Sequence, residues 1–407
     1  ILKNTLLLLN YSKIYSDDEI INKHLQWGAV HKDNALYDWR KGDNYQHKKI
    51  RIAYVSGDFK NHSVSYFIEN ILEHHSRDIF EVYCYSEVER EDSTTDRLKS
   101  YQVIWHKTKN QDAKMVAEKI RNDEIDILID LSGHTEHNRL DVFCLKPSPV
   151  QITYIGYPNT TGLTQMDYRI TDSIADPETC VNNCSEKFLR NPECFLNYRP
   201  PENAPAISAE NDKSDQVRFA SFNNQAKIDS GLMDVWVRLL KELPCATLLI
   251  KNKMLSDKKF SKEILGYFTS SGIDSKRIIL HGYISGVANH LDLYNQVDIH
   301  LDTFPYNGTT TTCESLWMGV PVITWKGSSH ASRVGASLLS AIGLNEYIAE
   351  SGQEYIDKAV YLARHIGERK TLRKNLRHKM QASSLCNVDI FMAGYENVLR
   401  DSIKHPP

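Results

Sequence analysis

Apolar residues in this chain concentrate in short blocks, separated by longer stretches where they recur at three- or four-residue spacing. Arg51–Ser56, Phe80–Tyr85, Ile125–Asp130, Val150–Ile155 and Tyr168–Thr171 are such blocks, each the length of a strand buried on both faces. Helical spacing runs from Asn61 through Glu73 and from Ala113 to Asn122. This alternation predicts a mostly parallel sheet. A second series starts at Val217–Ser221, with a helix over Ser230–Glu242 and strands at Ala246–Ile250 and Arg277–Leu280. Helices over His330–Ile342 and Glu354–His378 follow, and Asp389–Ser402 reads as a final amphipathic helix. Ahead of the first strand, Leu6–Leu9 leads into a helix opened by Asp17, Asp18 and Glu19, with Ile20, Ile21, Leu25 and Trp27 as its apolar positions. Glu202 to Asp215, rich in Pro, Ala, Ser and Asn, predicts a linker.

These patterns divide the chain into a helical junction (1–45), an α/β lobe (46–201), the linker (202–215), a second α/β lobe (216–385) and a closing helix (386–407). No internal repeat or low-complexity tract interrupts them. Two α/β domains in tandem imply a cleft between them as the place for a ligand.

The signals are densest from Ile299 to Trp325. A strand ends at Asp302, Pro305 and Asn307-Gly308 supply turn chemistry, and threonines occupy positions 309 to 312. Glu314 stands three residues after Thr311, the spacing of a capping box. Leu316 and Trp317 are apolar, Gly319 ends the helix, and Pro321–Trp325 returns to strand. A helix that opens with amides and hydroxyls beyond a strand's carboxyl end is an anion site. Threonine hydroxyls add donors without charge, which suits a diphosphate that must leave, and Glu314 can accept from a ribose. An ordinary capped surface helix carries the same pattern.

Composition removes several classes. The chain has 407 residues with 41% hydrophobic content, and 49 Lys+Arg against 52 Asp+Glu give a formal charge of -3. That balance argues against a nucleic-acid binder with a broad basic face. Eight cysteines lie scattered without zinc spacing, Cys180 and Cys184 being the nearest pair. They read as reduced thiols of a cytoplasmic protein. No apolar run is long enough for a membrane span. The sequence contains no Asp-x-Asp triplet, no P-loop and no GxGxxG fingerprint, so no metal or cofactor is expected, and kinases, ATPases and nicotinamide enzymes are disfavoured.

Other candidates stand at strand ends. His62 opens a helix after a strand and glycine turn, either as a general base or as a helix-cap histidine. His134, in Ser132–Thr135, and Pro158, in the turn-rich loop Gly156–Gly162, either line a ligand or form plain connections. Asp167 and Asp172 suit structural hydrogen bonds. Lys227 closes the loop Phe222–Ala226, where a lysine can meet a leaving diphosphate as a point charge. His290 is either a nucleotide contact or a solvated histidine.

Five groups of residues carry a resemblance. They are Tyr54-Val-Ser with His62-Ser-Val-Ser-Tyr-Phe; Asp126-Ile-Leu-Ile-Asp with Gly133-His-Thr; and Ile155-Gly-Tyr-Pro-Asn-Thr-Thr-Gly-Leu with Asp167-Tyr-Arg-Ile-Thr-Asp. Ser221-Phe-Asn-Asn with Ala226-Lys-Ile, and Leu301-Asp-Thr-Phe-Pro-Tyr with Gly308-Thr-Thr-Thr-Thr-Cys-Glu-Ser-Leu, complete the set. From about Asn10 onward the chain resembles the catalytic region of the O-GlcNAc transferase/SPINDLY family, and within it the SPINDLY branch. The resemblance implies a GT-B fold of two Rossmann-like lobes. It also implies metal-independent, inverting transfer of a sugar from a nucleotide sugar to Ser or Thr hydroxyls of proteins.

Tetratricopeptide helices upstream would hold the acceptor, with residues 1–45 as their junction. Carried over position by position, His62 is the base or acceptor-side group, and Lys227 contacts the diphosphate. Thr310 and Thr311 hold it at the helix start, and His290 and Glu314 lie beside the nucleoside. Asn224, Thr309 and Glu314 stand where the animal O-GlcNAc enzyme has Gln, His and Asp. These are SPINDLY-like choices, and they favour GDP-fucose over UDP-GlcNAc as the donor. Transfer to a glycan or small molecule, or a non-catalytic nucleotide-binding scaffold, are the alternatives.

Overall fold

In a computed structural model, which describes residues 2–12, 14–39, 48–178, 184–208 and 216–404, the chain separates into two compact units. Ile1–Arg199 with Asn387–Pro407 form the first, and Pro200–Cys386 form the second. Cys180, the linker's residues 209–215 and the ends of the expected junction (40–45) and closing segment (405–407) lie outside the described residues.

The first unit begins with helices α1 (Leu2–Leu9) and α2 (Asp17–Ala29). Its strands are β1 (Ile50–Ser56), β2 (Phe80–Ser86), β3 (Ile104–Lys107), β4 (Ile127–Asp130), β5 (Val150–Thr153), β6 (Tyr168–Thr171) and β7 (Lys187–Arg190). All pair in parallel, in the order β3-β2-β1-β4-β5-β6-β7. Helices α3 (Ser65–His74), α4 (Ser93–Ser100), α5 (Ala113–Asn122) and α6 (Leu140–Phe143) connect them. Burial on both faces explains the apolar-rich blocks of the central strands. The two strands that the pattern missed, β3 and β7, are the sheet's edges. Their residues IWHK and KFLR are half-buried or exposed, so they carry no apolar block.

The second unit repeats this order one strand shorter. Strands β8 (Arg218–Ser221), β9 (Thr247–Lys251), β10 (Ile278–His281), β11 (Ile299–Leu301), β12 (Val322–Trp325) and β13 (Ile348–Ala349) form a parallel sheet ordered β10-β9-β8-β11-β12-β13. Its helices are α7 (Ser230–Glu242), α8 (Lys258–Ser270), α9 (Val287–Asp292), α10 (Thr310–Trp317), α11 (Val334–Ala341), α12 (Gly352–Arg364) and α13 (Ile366–Ala382). The helix expected over Glu354–His378 is therefore two helices. At their junction His365 leaves helical geometry (φ -102°, ψ 72°), and its Nδ1 bonds the Tyr361 carbonyl at 2.7 Å. Helix α10 closes as its glycine implied. Gly319 has φ +75°, its amide donates to Leu316, and the Val320 amide donates to Ser315, both carbonyls of the last turn.

Residues 205–208 of the expected linker are gripped by the second unit. Arg377 donates to the Pro205 carbonyl, Arg373 to Ser208, and Asn295 to Ala206. Polar grips on backbone leave no apolar signature, so composition alone did not reveal them.

The last helix, α14 (Val388–Lys404), belongs to the first unit. Tyr54 on β1 donates to His75 Nε2 at 2.7 Å, while His75 Nδ1 donates to Glu396 on α14 at 3.0 Å. The N-terminal helices are held as firmly. A Cβ on Gly28 would lie 1.6 Å from the Gly162 carbonyl oxygen, so α2 and the 156–162 loop meet backbone to backbone. The Tyr157 hydroxyl joins them, donating to His24 Nε2 at 2.6 Å and accepting from Asn10 at 2.9 Å. We expect Gly28→Ala to lift α2 from this loop at a cost above about 2 kcal/mol, read as faster amide exchange across α2. Gly266→Ala on α8, where nothing lies within 4 Å, should instead gain about 0.5–1 kcal/mol in denaturant melts.

Candidate functional site

In each sheet the strand order reverses between its first and fourth strands, β1 and β4 or β8 and β11. Open α/β sheets bind ligands beyond the carboxyl ends of the strands at such a reversal. In the second unit that point is framed by residues 222–227 after β8 and 302–309 after β11.

Asp302 organises the second of these loops. It is fully buried. Its Oδ1 accepts from the amides of Thr303 (2.8 Å) and Gly308 (2.6 Å), and its Oδ2 accepts from the Thr324 hydroxyl on β12 (2.7 Å). Burial raises its pKa to about 6, while these donors and Lys227 favour the carboxylate. Asn307 locks the loop's other end. Its amide donates to Ala331, its Nδ2 to the Thr303 carbonyl, and its Oδ1 accepts from the Gly335 amide.

Lys227 reaches into this frame. Its ammonium donates to the Asn307 carbonyl at 2.7 Å and sits 3.9 Å from the centre of the Tyr306 ring. Burial pulls it down to about 8, with Asp302 opposing the fall. Asn224 is exposed and bonds the Ala226 amide at 3.1 Å, so it shapes the turn that delivers Lys227.

Thr309 is the N-cap of α10, and no side chain caps this helix. The capping box expected from the Thr311–Glu314 spacing does not form. Glu314 is buried, and its carboxylate accepts from His290 Nε2 at 3.0 Å and from the Tyr294 hydroxyl at 3.3 Å. Thr311 donates to Asn223 at 2.8 Å, and Thr312 to the Gly308 carbonyl at 3.1 Å. Thr309, Thr310 and Thr311 are half-buried. Helix α10 thus presents first-turn amides and the partial positive charge of its dipole. His290 is fixed in one tautomer. The Lys251 ammonium can only donate, so Nδ1 accepts from it at 3.1 Å and Nε2 keeps its proton for Glu314.

The first unit repeats part of this design. Asp130, at the end of β4, accepts from the amides of Ser132 and Gly133 and from the Thr153 hydroxyl on β5. Burial raises it too to about 6. His62 does not open α3. It lies in the preceding turn, half-exposed, with Nδ1 accepting from the Val64 amide at 3.3 Å and 3.6 Å from Asp58. Burial lowers its pKa and Asp58 opposes the shift. His134 is buried, bonded through Nε2 to the Thr161 carbonyl at 2.8 Å, with Trp27 edge-on at 4.5 Å. Pro158 is buried in the adjoining loop.

Lys227, Thr309, Thr310, Thr311, His290 and Glu314 therefore gather at the carboxyl ends of β8 and β11, while His62, His134 and Pro158 belong to the first unit. Sequence reasoning gave no site role to Asn223, Lys251, Tyr294, Asp302, Tyr306 or Asn307. Asp302 and Asn307 could have been found as a carboxylate at a strand's end and an Asn-Gly turn. Lys251 and Tyr294 carry no local signal, because only the fold brings β9 and the turn after α9 to α10.

Two parallel units, each with the reversal of a nucleotide-binding sheet, define the GT-B class of glycosyltransferase folds. The chain belongs to glycosyl transferase family 41, whose pattern matches residues 22–197 and 209–394. It is 40% identical over 411 residues to the "Probable UDP-N-acetylglucosamine--peptide N-acetylglucosaminyltransferase SPINDLY" of Arabidopsis thaliana, covering 99% of this chain and 45% of that protein. The chain thus spans less than half the length of that relative. A mutant of the Thermobaculum terrenum O-GlcNAc transferase superposes with a TM-score of 0.92 at 32% identity, covering 99% of this chain and 78% of that one. The lipopolysaccharide outer core galactosyltransferase WaaB shares the fold alone, with a TM-score of 0.57 at 14% identity over 87% of this chain and all of that one.

Asp302→Ala strands three donors inside the second unit, a loss of about 3 kcal/mol or more. Calorimetry should show part of the melting profile falling by roughly 10 °C, with the remainder unmoved.

Proposed function

We propose that this chain is the catalytic region of a protein O-glycosyltransferase that moves a sugar from GDP-fucose or UDP-GlcNAc to Ser or Thr hydroxyls, with inversion and without a metal. One observation carries this reading. Lys227, half-buried, stands beside the uncapped, threonine-rich start of α10 on a loop locked by Asp302. An acceptor hydroxyl attacks the anomeric carbon as the bond to the diphosphate breaks. Lys227 and the first-turn amides of α10 take up the charge on the leaving group. His290 and Glu314 serve the nucleoside, Glu314 offering its carboxylate to ribose hydroxyls.

His62 serves the acceptor side. With Nδ1 accepting from Val64 its proton rests on Nε2. Action as a base through Nε2 requires the other tautomer, with the proton on Nδ1 facing Asp58. The relatives are named for UDP-N-acetylglucosamine, while the SPINDLY-like Asn224, Thr309 and Glu314 support GDP-fucose. We further propose upstream tetratricopeptide repeats that present the protein acceptor, and a cytoplasmic setting. No helix among the described residues is long and apolar enough to cross a membrane.

Calorimetry with GDP and UDP side by side, then transfer of labelled sugar to peptide and to free-sugar acceptors with and without a chelator, tests the reading. Transfer only to free sugars, or dependence on added metal, would sink the corresponding part, and binding of neither nucleotide would sink the whole. Lys227→Ala should cost about a hundredfold or more in turnover with the fold intact. Because only the ammonium meets a diphosphate, affinity should be full below about 8 and decline as pH rises through it, well before the ordinary lysine value of 10.5. His62→Ala should lower turnover by about a hundredfold while donor affinity stays within about threefold. A collapse of affinity would move His62 to the donor side.

A further inference from the structure

We infer that Tyr306 is a positioning residue for Lys227: its ring holds the ammonium as a cation where a departing diphosphate arrives, before any ligand binds. This rests on the functional reading above and names a residue that reading does not use.

The geometry is direct. Lys227 Nζ lies 3.9 Å from the Tyr306 ring centre and 2.7 Å from the carbonyl oxygen of the next residue, Asn307. The ring's backbone has little room to move. The Tyr306 carbonyl accepts from the Thr303 hydroxyl at 2.7 Å, and the Asn307 amide is bonded to Ala331 at 2.9 Å. Two residues earlier, Phe304 stacks on Trp325 at 3.8 Å. The Asp302 carboxylate faces Lys227 from the end of β11 and is already engaged by Thr303, Gly308 and Thr324.

Burial favours the neutral amine of a lysine; the Asp302 carboxylate opposes that by its charge, and the groups that touch the ammonium add to it. A carboxylate in direct contact would do so, but it would also repel the incoming diphosphate and compete with it for the ammonium. An aromatic face attracts the cation through its quadrupole and carries no net charge. Tyr306 therefore offers what a leaving-group site needs: a charged lysine, oriented in advance, with no anion to displace.

The test measures GDP and UDP affinity by calorimetry from about pH 6 to 10 for the wild type, Y306F, Y306L and K227A, each checked for folding by circular dichroism. Y306M replaces Y306L if the latter does not fold. We expect Y306L to move the alkaline midpoint of binding down by roughly one pH unit. Y306F, which keeps the ring, should hold the wild-type midpoint. An unmoved midpoint in Y306L, or a shift in Y306F as large as in Y306L, overturns the role of the ring. If K227A binds both nucleotides as the wild type does, or the wild type binds neither, the functional reading fails and the role of Tyr306 with it. Those outcomes are distinct from loss of binding in K227A with no shift in Y306L.

Discussion

A buried carboxylate at the end of the fourth strand is the constraint on which the second unit's site depends. Asp302 is out of contact with water, and an ion so placed is tolerated only when its oxygens are engaged by donors. Three of those donors are the Thr303 and Gly308 amides and the Thr324 hydroxyl. Satisfying the aspartate therefore closes the loop between β11 and α10 into one shape. That shape places the Asn307 carbonyl and the Tyr306 ring under Lys227 and sets the start of α10. Asp130 binds two loop amides and a threonine on the next strand in the same way. The two units share this device although their sequences show no repeat.

Charge in the second unit's site is sparing. Lys227 meets an aromatic face and a carbonyl, and threonine hydroxyls and helix amides add donors without adding charge. The second lysine, Lys251, is spent on His290, which passes the polarity on to Glu314. On the proposed function, an anion arriving there would meet a prearranged field with little to rearrange, and one that must leave would not be held by a cluster of cations.

Much of this was legible in the residues themselves. Central strands announce themselves because burial on both faces favours an apolar-rich block, and β1, β2, β4, β5 and β6 lie where those blocks lie. The places of Lys227 at a strand-to-helix turn and of Thr309–Thr311 at a helix start were legible because turn and helix-start signals are local. Edge strands β3 and β7 were not, since a half-exposed strand has no need of an apolar block. The Thr311–Glu314 spacing misled for a related reason. A capping box requires Glu314 to reach back along its own helix, and a half-buried partner from α9, His290, takes the carboxylate instead.

Periodicity and turn residues, which act within a few positions, determined the order of strands and helices, the helix start at the threonines and its stop at Gly319. Asn223 meeting Thr311, Lys251 meeting His290 and Tyr306 beneath Lys227 were decided by the parallel crossovers alone. Such crossovers bring residues tens of positions apart to one sheet edge, and no local spacing records which of them will touch.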